Sequence, residues 1–322
     1  VSRVEKLLFL LLPVPFAVGL LSPGAAVAPI PGDPVFAFTD PQIAESSGLV
    51  AGDGVVVTVN DSGDSNRIFT VDTSTGDTVG ITRWQGEARD HEALAPAGEG
   101  EVWVGDIGDN AASRDHVSVA RVPYGRGDKT VTAPTYELVY PDGPHDAETL
   151  LSDPATGRLY VVAKEFIGRL YAAPAKLDPD RPNRLEPVGE VLGIATDGAF
   201  FPDGKHVVLR NYGQAVVYTW PGLDRVARFD LPAQRQGEGI AVAADGEVLL
   251  SSEGEGAEVL SVALPLPEAT PSEGASEGAA EPAPATDDDP AAQLVWWPWA
   301  AAAGAAAVVA LLAWVGIARR RS

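Results

Sequence analysis

The chain has 322 residues, with 45 Asp and Glu against 23 Lys and Arg, a formal net charge of −22, and neither cysteine nor methionine. That charge excludes a nucleic-acid-binding surface, because little here would neutralise a phosphate backbone, and it favours a cation or a basic body as partner. The missing cysteine excludes disulfides and thiolate metal sites.

In chain order, residues 1–28 read as a secretory signal: Arg3 and Lys6, an apolar run from Leu7, then the small residues Ala25-Ala-Val-Ala. Residues 34–265 hold a repeat described below. Residues 266–293 carry seven carboxylates and no basic residue among Pro, Ala, Ser and Gly, the composition of an extended acidic linker. Residues 294–318 contain no charge and suffice to cross a hydrocarbon core of about 30 Å. Trp296, Trp297, Trp299 and Trp314 flank that span, and Arg319-Arg-Arg-Ser follows it. The expectation is a single-pass plasma-membrane protein with its bulk outside and residues 319–322 in the cytoplasm.

The repeat is an acidic residue leading a short apolar run, a Gly- or Pro-rich turn, and a second apolar run ending in polar groups. The lead carboxylates are Glu45, Glu92, Glu148, Asp197 and Glu238. Intervals of roughly 40–55 residues with four short strands in each predict an all-β propeller. The expected strands are 48–51, 55–59, 67–72 and 78–82 in the first repeat, and 94–96, 102–105, 117–122 and 136–140 in the second. The third repeat has 150–152, 159–163, 169–172 and 187–191; the fourth has 199–201, 206–209, 215–219 and 226–231. The fifth shows only 240–242, 248–251 and 259–263. Val35-Phe-Ala-Phe-Thr is a strand without a repeat, and it supplies the missing edge and closes the ring. The count is five blades. Six is the alternative, if the long loop 123–134 or the insert 178–184 hides a degenerate sheet.

In a propeller the first strand of each sheet lines the channel, so the five lead carboxylates converge near one mouth. Carboxylates that close must protonate, pair or bind a cation, and an all-oxygen set suits Ca²⁺ or Mg²⁺. Backbone hydrogen bonding to a neighbouring blade is the competing role. A second tier, at the ends of the second strands, contains Asp61, Asp106, Lys164 and Arg210, with Tyr212 just beyond; these are the candidate ligand-binding groups. Asp61-Ser-Gly-Asp-Ser-Asn and Asp106-Ile-Gly-Asp-Asn resemble short Ca²⁺ loops without the EF-hand spacing, and Asx turns between two strands are the preferred reading of both. His91 and His145 stand beside lead carboxylates, where they could act as bases or as hydrogen-bonded loop residues. No Gly-x-Ser-x-Gly elbow and no Walker loop is present.

Asn60-Asp-Ser-Gly-Asp-Ser, Gly105-Asp-Ile-Gly-Asp-Asn, His145-Asp-Ala-Glu-Thr-Leu and Gln236-Gly-Glu-Gly-Ile-Ala resemble secreted actinobacterial propellers of the phytase-like, esterase-like group. The resemblance spans roughly residues 43–264 and implies Ca²⁺ in or near the channel. Phytases of this fold hold phosphates with several Lys and Arg residues, whereas only Lys164, Arg210 and Arg169 fall near the rim here. Two functions are therefore expected. One is a surface binding or scaffold module for an extracellular protein, a glycan or a small anionic ligand. The alternative is a Ca²⁺-dependent hydrolase of phosphoesters or lactones, which requires Lys164 and Arg210 to face the carboxylates with free cationic ends.

Overall fold

The computed structural model describes residues 28–61 and 63–266. The signal segment, linker, apolar span and basic tail fall outside the described residues, apart from residues 28 and 266 at their edges. No helix among the described residues is long and apolar enough to cross a membrane.

Strand β1 (Gly32–Ala37) comes first. Blade 1 contains β2 (Ser46–Ala51), β3 (Val55–Asn60), β4 (Arg67–Asp72) and β5 (Thr78–Trp84). Blade 2 contains β6 (His91–Pro96), β7 (Glu101–Asp106), β8 (Val117–Pro123) and, after a short β9 (Lys129–Val131), β10 (Thr135–Val139). Blade 3 contains β11 (Ala147–Ser152), β12 (Leu159–Ala163), β13 (Gly168–Ala172) and, after a short β14 (Asn183–Arg184), β15 (Glu186–Val191). Blade 4 contains β16 (Asp197–Phe200), β17 (His206–Arg210), β18 (Gln214–Thr219) and β19 (Arg225–Asp230). Blade 5 contains β20 (Gly237–Val242), β21 (Val248–Ser252) and β22 (Glu258–Val262).

β1 completes blade 5, in the order β1-β22-β21-β20, so the chain is a five-bladed propeller closed by its N-terminal strand. The six-blade alternative does not hold, because both suspect segments extend sheets that already exist. β9 pairs parallel to β5, and β14 pairs parallel to β10. Each reaches back to cover the outer edge of the preceding blade, which would otherwise expose unpaired backbone groups.

Inner and second strands are sandwiched between neighbouring blades, and this explains their unbroken apolar runs. Val55–Asn60 and Leu159–Ala163 are buried throughout, whereas the outer strand Glu186–Val191 is largely exposed. Five apolar clusters fill the five interfaces between neighbouring blades. The one between blades 5 and 1 contains Phe36 and Phe38, edge to face at 5.7 Å, with Ile43, Phe69 and Leu249. Burying a side chain of this size contributes about 1.5–3 kcal/mol, so closure rests on packing as well as on the β1–β22 ladder.

Candidate metal centre at the channel mouth

Four inner strands carry a β-bulge near their start, and in three of them it holds the lead carboxylate. The irregularities fall at His91/Ala93, Ala147/Thr149, Gly237/Ile240 and Ser46/Leu49. A bulge inserts an unpaired residue and re-aims its side chain. Glu92, Glu148 and Glu238 occupy these places. In β2 the place belongs to Ser47, and Glu45 stands two residues earlier, exposed at the rim. β16 has no bulge, and Asp197 pairs directly with Arg210.

Three carboxylates meet closely. Ligand oxygens of Asp61, Asp90 and Glu92 lie within 4.8 Å of one another. Asp61 follows the end of β3, Asp90 precedes β6, and Glu92 sits in the β6 bulge, so blades 1 and 2 both contribute. Asp106 holds the entry to β6 by accepting hydrogen bonds from the N–H groups of Arg89 and Asp90, each at 3.2 Å, and its charge is met by Arg114 at 2.7 Å. Gly108 leaves the space in which the carboxylates approach. A Cβ there would lie 2.5 Å from Asp90 Cγ and 2.8 Å from Glu92 Oε1.

Burial and mutual repulsion show in the acidities. Glu92 is pushed up to about 11, first by burial and then by the charges of Asp61 and Glu148. Burial and the charges of Asp61 and Asp146 push Asp90 up to about 6. Asp90 Oδ1 is buried without a hydrogen-bond partner among the described residues. Three acidic groups, an orphaned oxygen and a space kept open by glycine fit a hard cation with oxygen ligands, with no nitrogen or sulfur donor in the set.

The remaining candidates are placed differently. Glu148 pairs with Lys164, whose ammonium also donates to Tyr212 Oη at 2.9 Å. Burial raises Glu148 to about 8 against the pull of Lys164. Burial works against the Lys164 charge, but its bonds to Glu148 and Tyr212 outweigh it and raise its pKa. Glu238 is raised by burial, and its Oε2 has no partner. Glu253 is raised to about 7 by burial and by the charges of Glu238, Asp61 and Glu45. Arg210 is wholly buried, and its Nη1 donates to Gly239 O at 3.0 Å, to Gln234 Oε1 at 3.2 Å and to Ser251 O at 3.3 Å. Its guanidinium is thus spent on the strands of blade 5 and closed off from solvent. Asp197 accepts from the N–H groups of Gly198, Ile240 and Leu49 at 2.8, 2.8 and 3.3 Å, joining the inner strands of blades 4, 5 and 1.

The two short acidic loops make local turns. Asp64 binds Arg67 at 2.8 Å and accepts from Asn60 and Ser65; Asp109 accepts from the N–H groups of Ser113 and Arg114, both at 2.8 Å. His145 is held between Glu165 at 2.8 Å and Asp142 at 3.0 Å, and His91 is buried edge-on to Trp84. At the opposite mouth the inner strands end in an apolar funnel of about 590 Å³, lined in part by Leu94, Pro96, Leu151, Phe200 and Pro202.

The chain matches no family model and no curated protein. The geometry therefore carries the functional reading alone. Sequence reasoning named Asp61 and Glu92 but assigned no role to Asp90 or Gly108. The available signal was local: Asp90 and Glu92 are two apart, and a strand-entry irregularity puts both on one side.

Proposed function

We propose that this chain is a cell-surface binding module whose propeller holds a hard divalent cation, Ca²⁺ in the first instance, on Asp61, Asp90 and Glu92. The carrying observation is the approach of three carboxylates to within 4.8 Å on two adjacent blades, with one buried oxygen unpartnered. Like charges held that close favour a bound cation, which replaces the protons they would otherwise retain. The cation would tie blade 1 to blade 2 at the mouth and fix the loops around it. Placement outside the membrane on a single anchor rests on the uncharged run 294–318 and the arginines after it.

The hydrolase reading has less support. It needs cationic groups ready for an anionic substrate. Lys164 is engaged by Glu148 and Tyr212, and Arg210 is buried against backbone carbonyls.

Calorimetric titration of Ca²⁺ into the chelator-treated chain, with thermal melts alongside, tests the proposal. Saturable binding and a raised Tm, both lost in Glu92→Gln, are expected. A ligand at a hundred times its Kd stabilises by about 2.7 kcal/mol. No binding at millimolar Ca²⁺ would reduce the triad to a proton-sharing cluster.

A further inference from the structure

Blade 2 turns one face of its sheet toward blade 1, and a cavity of about 250 Å³ lies between them. Paired residues of an antiparallel sheet share a face, so the register fixes what that face presents. His91, Asp106, Ser118 and Glu137 form one row across β6, β7, β8 and β10. Val104, Ala120 and Thr135 form the next row. Small residues on β8, Ser118 and Ala120, leave the space where the two rows cross it. Asn66, just before β4, and Trp84, at the end of β5, join the lining from blade 1.

Polar side chains in this cavity are buried yet unpartnered. His91 is 4% exposed, and its ring makes no hydrogen bond among the described residues. Asn66 is 7% exposed; its Nδ2 donates to Gly86 O at 2.9 Å, while its Oδ1 accepts nothing among those residues. Buried polar groups are nearly always bonded, so two such groups on one cavity point to a molecule that bonds them there. Ser118 and Thr135 add hydroxyls, each able to donate and accept. The bulge that sends Glu92 to the cation site leaves His91 on the cavity, so the two sites lie on opposite sides of β6.

The charges on the lining are met within it. Arg89 pairs with Glu87 at 3.0 Å, Arg114 pairs with Asp106 at 2.7 Å, and His116 stands 4.0 Å from Glu137. An ionic ligand would have to break one of these pairs. Trp84, Val104 and Ala120 supply an apolar side. The complement is a neutral molecule with an apolar face and a rim of groups that donate and accept at once. A pyranose ring has this constitution, with C–H bonds on its faces and hydroxyls around its edge. The cavity is smaller than the roughly 300–1,000 Å³ of sites for drug-sized ligands, which suits a single ring.

We propose that this cavity is a sugar-binding subsite that takes one neutral pyranose unit. Its hydroxyls meet His91, Asn66, Ser118 and Thr135, and its C–H face lies against Trp84. The inference rests on the reading of the domain as a binding module and does not use the cation at Asp61, Asp90 and Glu92.

The test is saturation-transfer NMR of methyl glycosides of glucose, galactose, mannose and N-acetylglucosamine against the full chain, in chelator. Adenosine and glucuronate are the counter-probes. At least one neutral glycoside should receive saturation at millimolar concentration, most strongly at the C–H groups of one ring face. His91→Phe keeps a ring edge-on to Trp84 but removes its nitrogens, and Ser118→Leu fills the cavity. Thr135→Tyr narrows the cavity from an exposed position that leaves the fold intact. Each should weaken binding about tenfold or more, with thermal melts confirming folded protein. Calcium binding without glycoside binding would overturn this inference and leave the cation reading standing; glycoside binding without calcium binding would do the reverse. Glycoside binding that survives all three variants would place the sugar elsewhere and overturn the assignment. Tighter binding of adenosine or glucuronate than of any neutral glycoside would overturn it too, as would no binding of any probe, which would leave water alone to satisfy His91 and Asn66.

Discussion

The carboxylate of Asp197 accepts a hydrogen bond from the backbone N–H of Ile240 at 2.8 Å, across the inner wall of the channel. Ile240 and Leu49, the second distant donor to Asp197, are the residues at which paired register resumes after the bulges in β20 and β2. The inner strand of blade 4 has no bulge of its own and supplies the acceptor for both. Asp197→Ala would leave these N–H groups buried and unsatisfied, at a cost of about 1–3 kcal/mol each. Denaturant unfolding should show a lowered midpoint for Asp197→Ala, with Asp197→Asn losing less because it keeps one carbonyl oxygen.

Ring closure gives a second prediction. Phe38 is 2% exposed in the interface where the ends of the domain meet. Phe38→Ala should destabilise the domain by about 3–5 kcal/mol. The unfolding midpoint should fall with little change in slope, because the unfolded state exposes nearly the same surface.

Gly108→Ala separates the cation site from the fold. Its Cβ would lie 2.8 Å from Glu92 Oε1 and force the carboxylates apart. Calcium binding should be lost or weakened by about tenfold or more, as measured by calorimetry. The propeller should survive, because Gly108 lies in the loop between β7 and β8 and outside the blade cores.

The pH dependence has a definite sign. Asp90 and Glu253 have folded-state pKa values of about 6 and about 7, raised above the ordinary values of 3.8 and 4.5. Between pH 4.5 and 7 the folded chain therefore holds more protons than the unfolded chain, so these groups make stability fall as pH rises through that window. Thermal melts in chelator should show Tm decreasing from pH 5 to pH 7.5. Saturating Ca²⁺ should flatten the Asp90 part of this slope, because a bound cation replaces the proton.

Relief of strain at Ile194 is measurable without any ligand. Ile194→Asn places a residue that tolerates φ +55° at an exposed position. Stability should rise by about 1 kcal/mol, read as an upward shift of the unfolding midpoint.

Much of the fold was legible because propeller strands are apolar runs between turns. Arg67–Asp72 and Leu159–Ala163 fall where the alternation and turn residues put them. The orphan strand around Phe36 closes blade 5 as its lack of a repeat implied. Inner strands begin up to three residues earlier than expected, since the bulged segments carry Ser, Gly and Glu and do not look like strand.

The site was less legible for the same reason. Their shared place at the head of a repeat made Glu45 and Glu92 look equivalent, but equivalence is set by the bulge, where blade 1 has Ser47. Arg210 ends a second strand, as Lys164 follows one, yet Arg210 is wholly buried against backbone carbonyls of blade 5 while Lys164 pairs with Glu148 and stays partly exposed. Strand-end alternation does not distinguish these orientations. The exposed Phe166 and Ile167 sit in a two-strand turn, where hydrophobicity alone suggests burial that the loop does not provide.

The most direct test of the central claim is anomalous diffraction from crystals of the chain soaked in Mn²⁺ or a lanthanide as a Ca²⁺ stand-in. A peak is expected between Asp61, Asp90 and Glu92, about 2.3–2.6 Å from an oxygen of each, displaced by excess Ca²⁺. Soaked crystals with no peak there, or with peaks confined to the surface carboxylates, would contradict it.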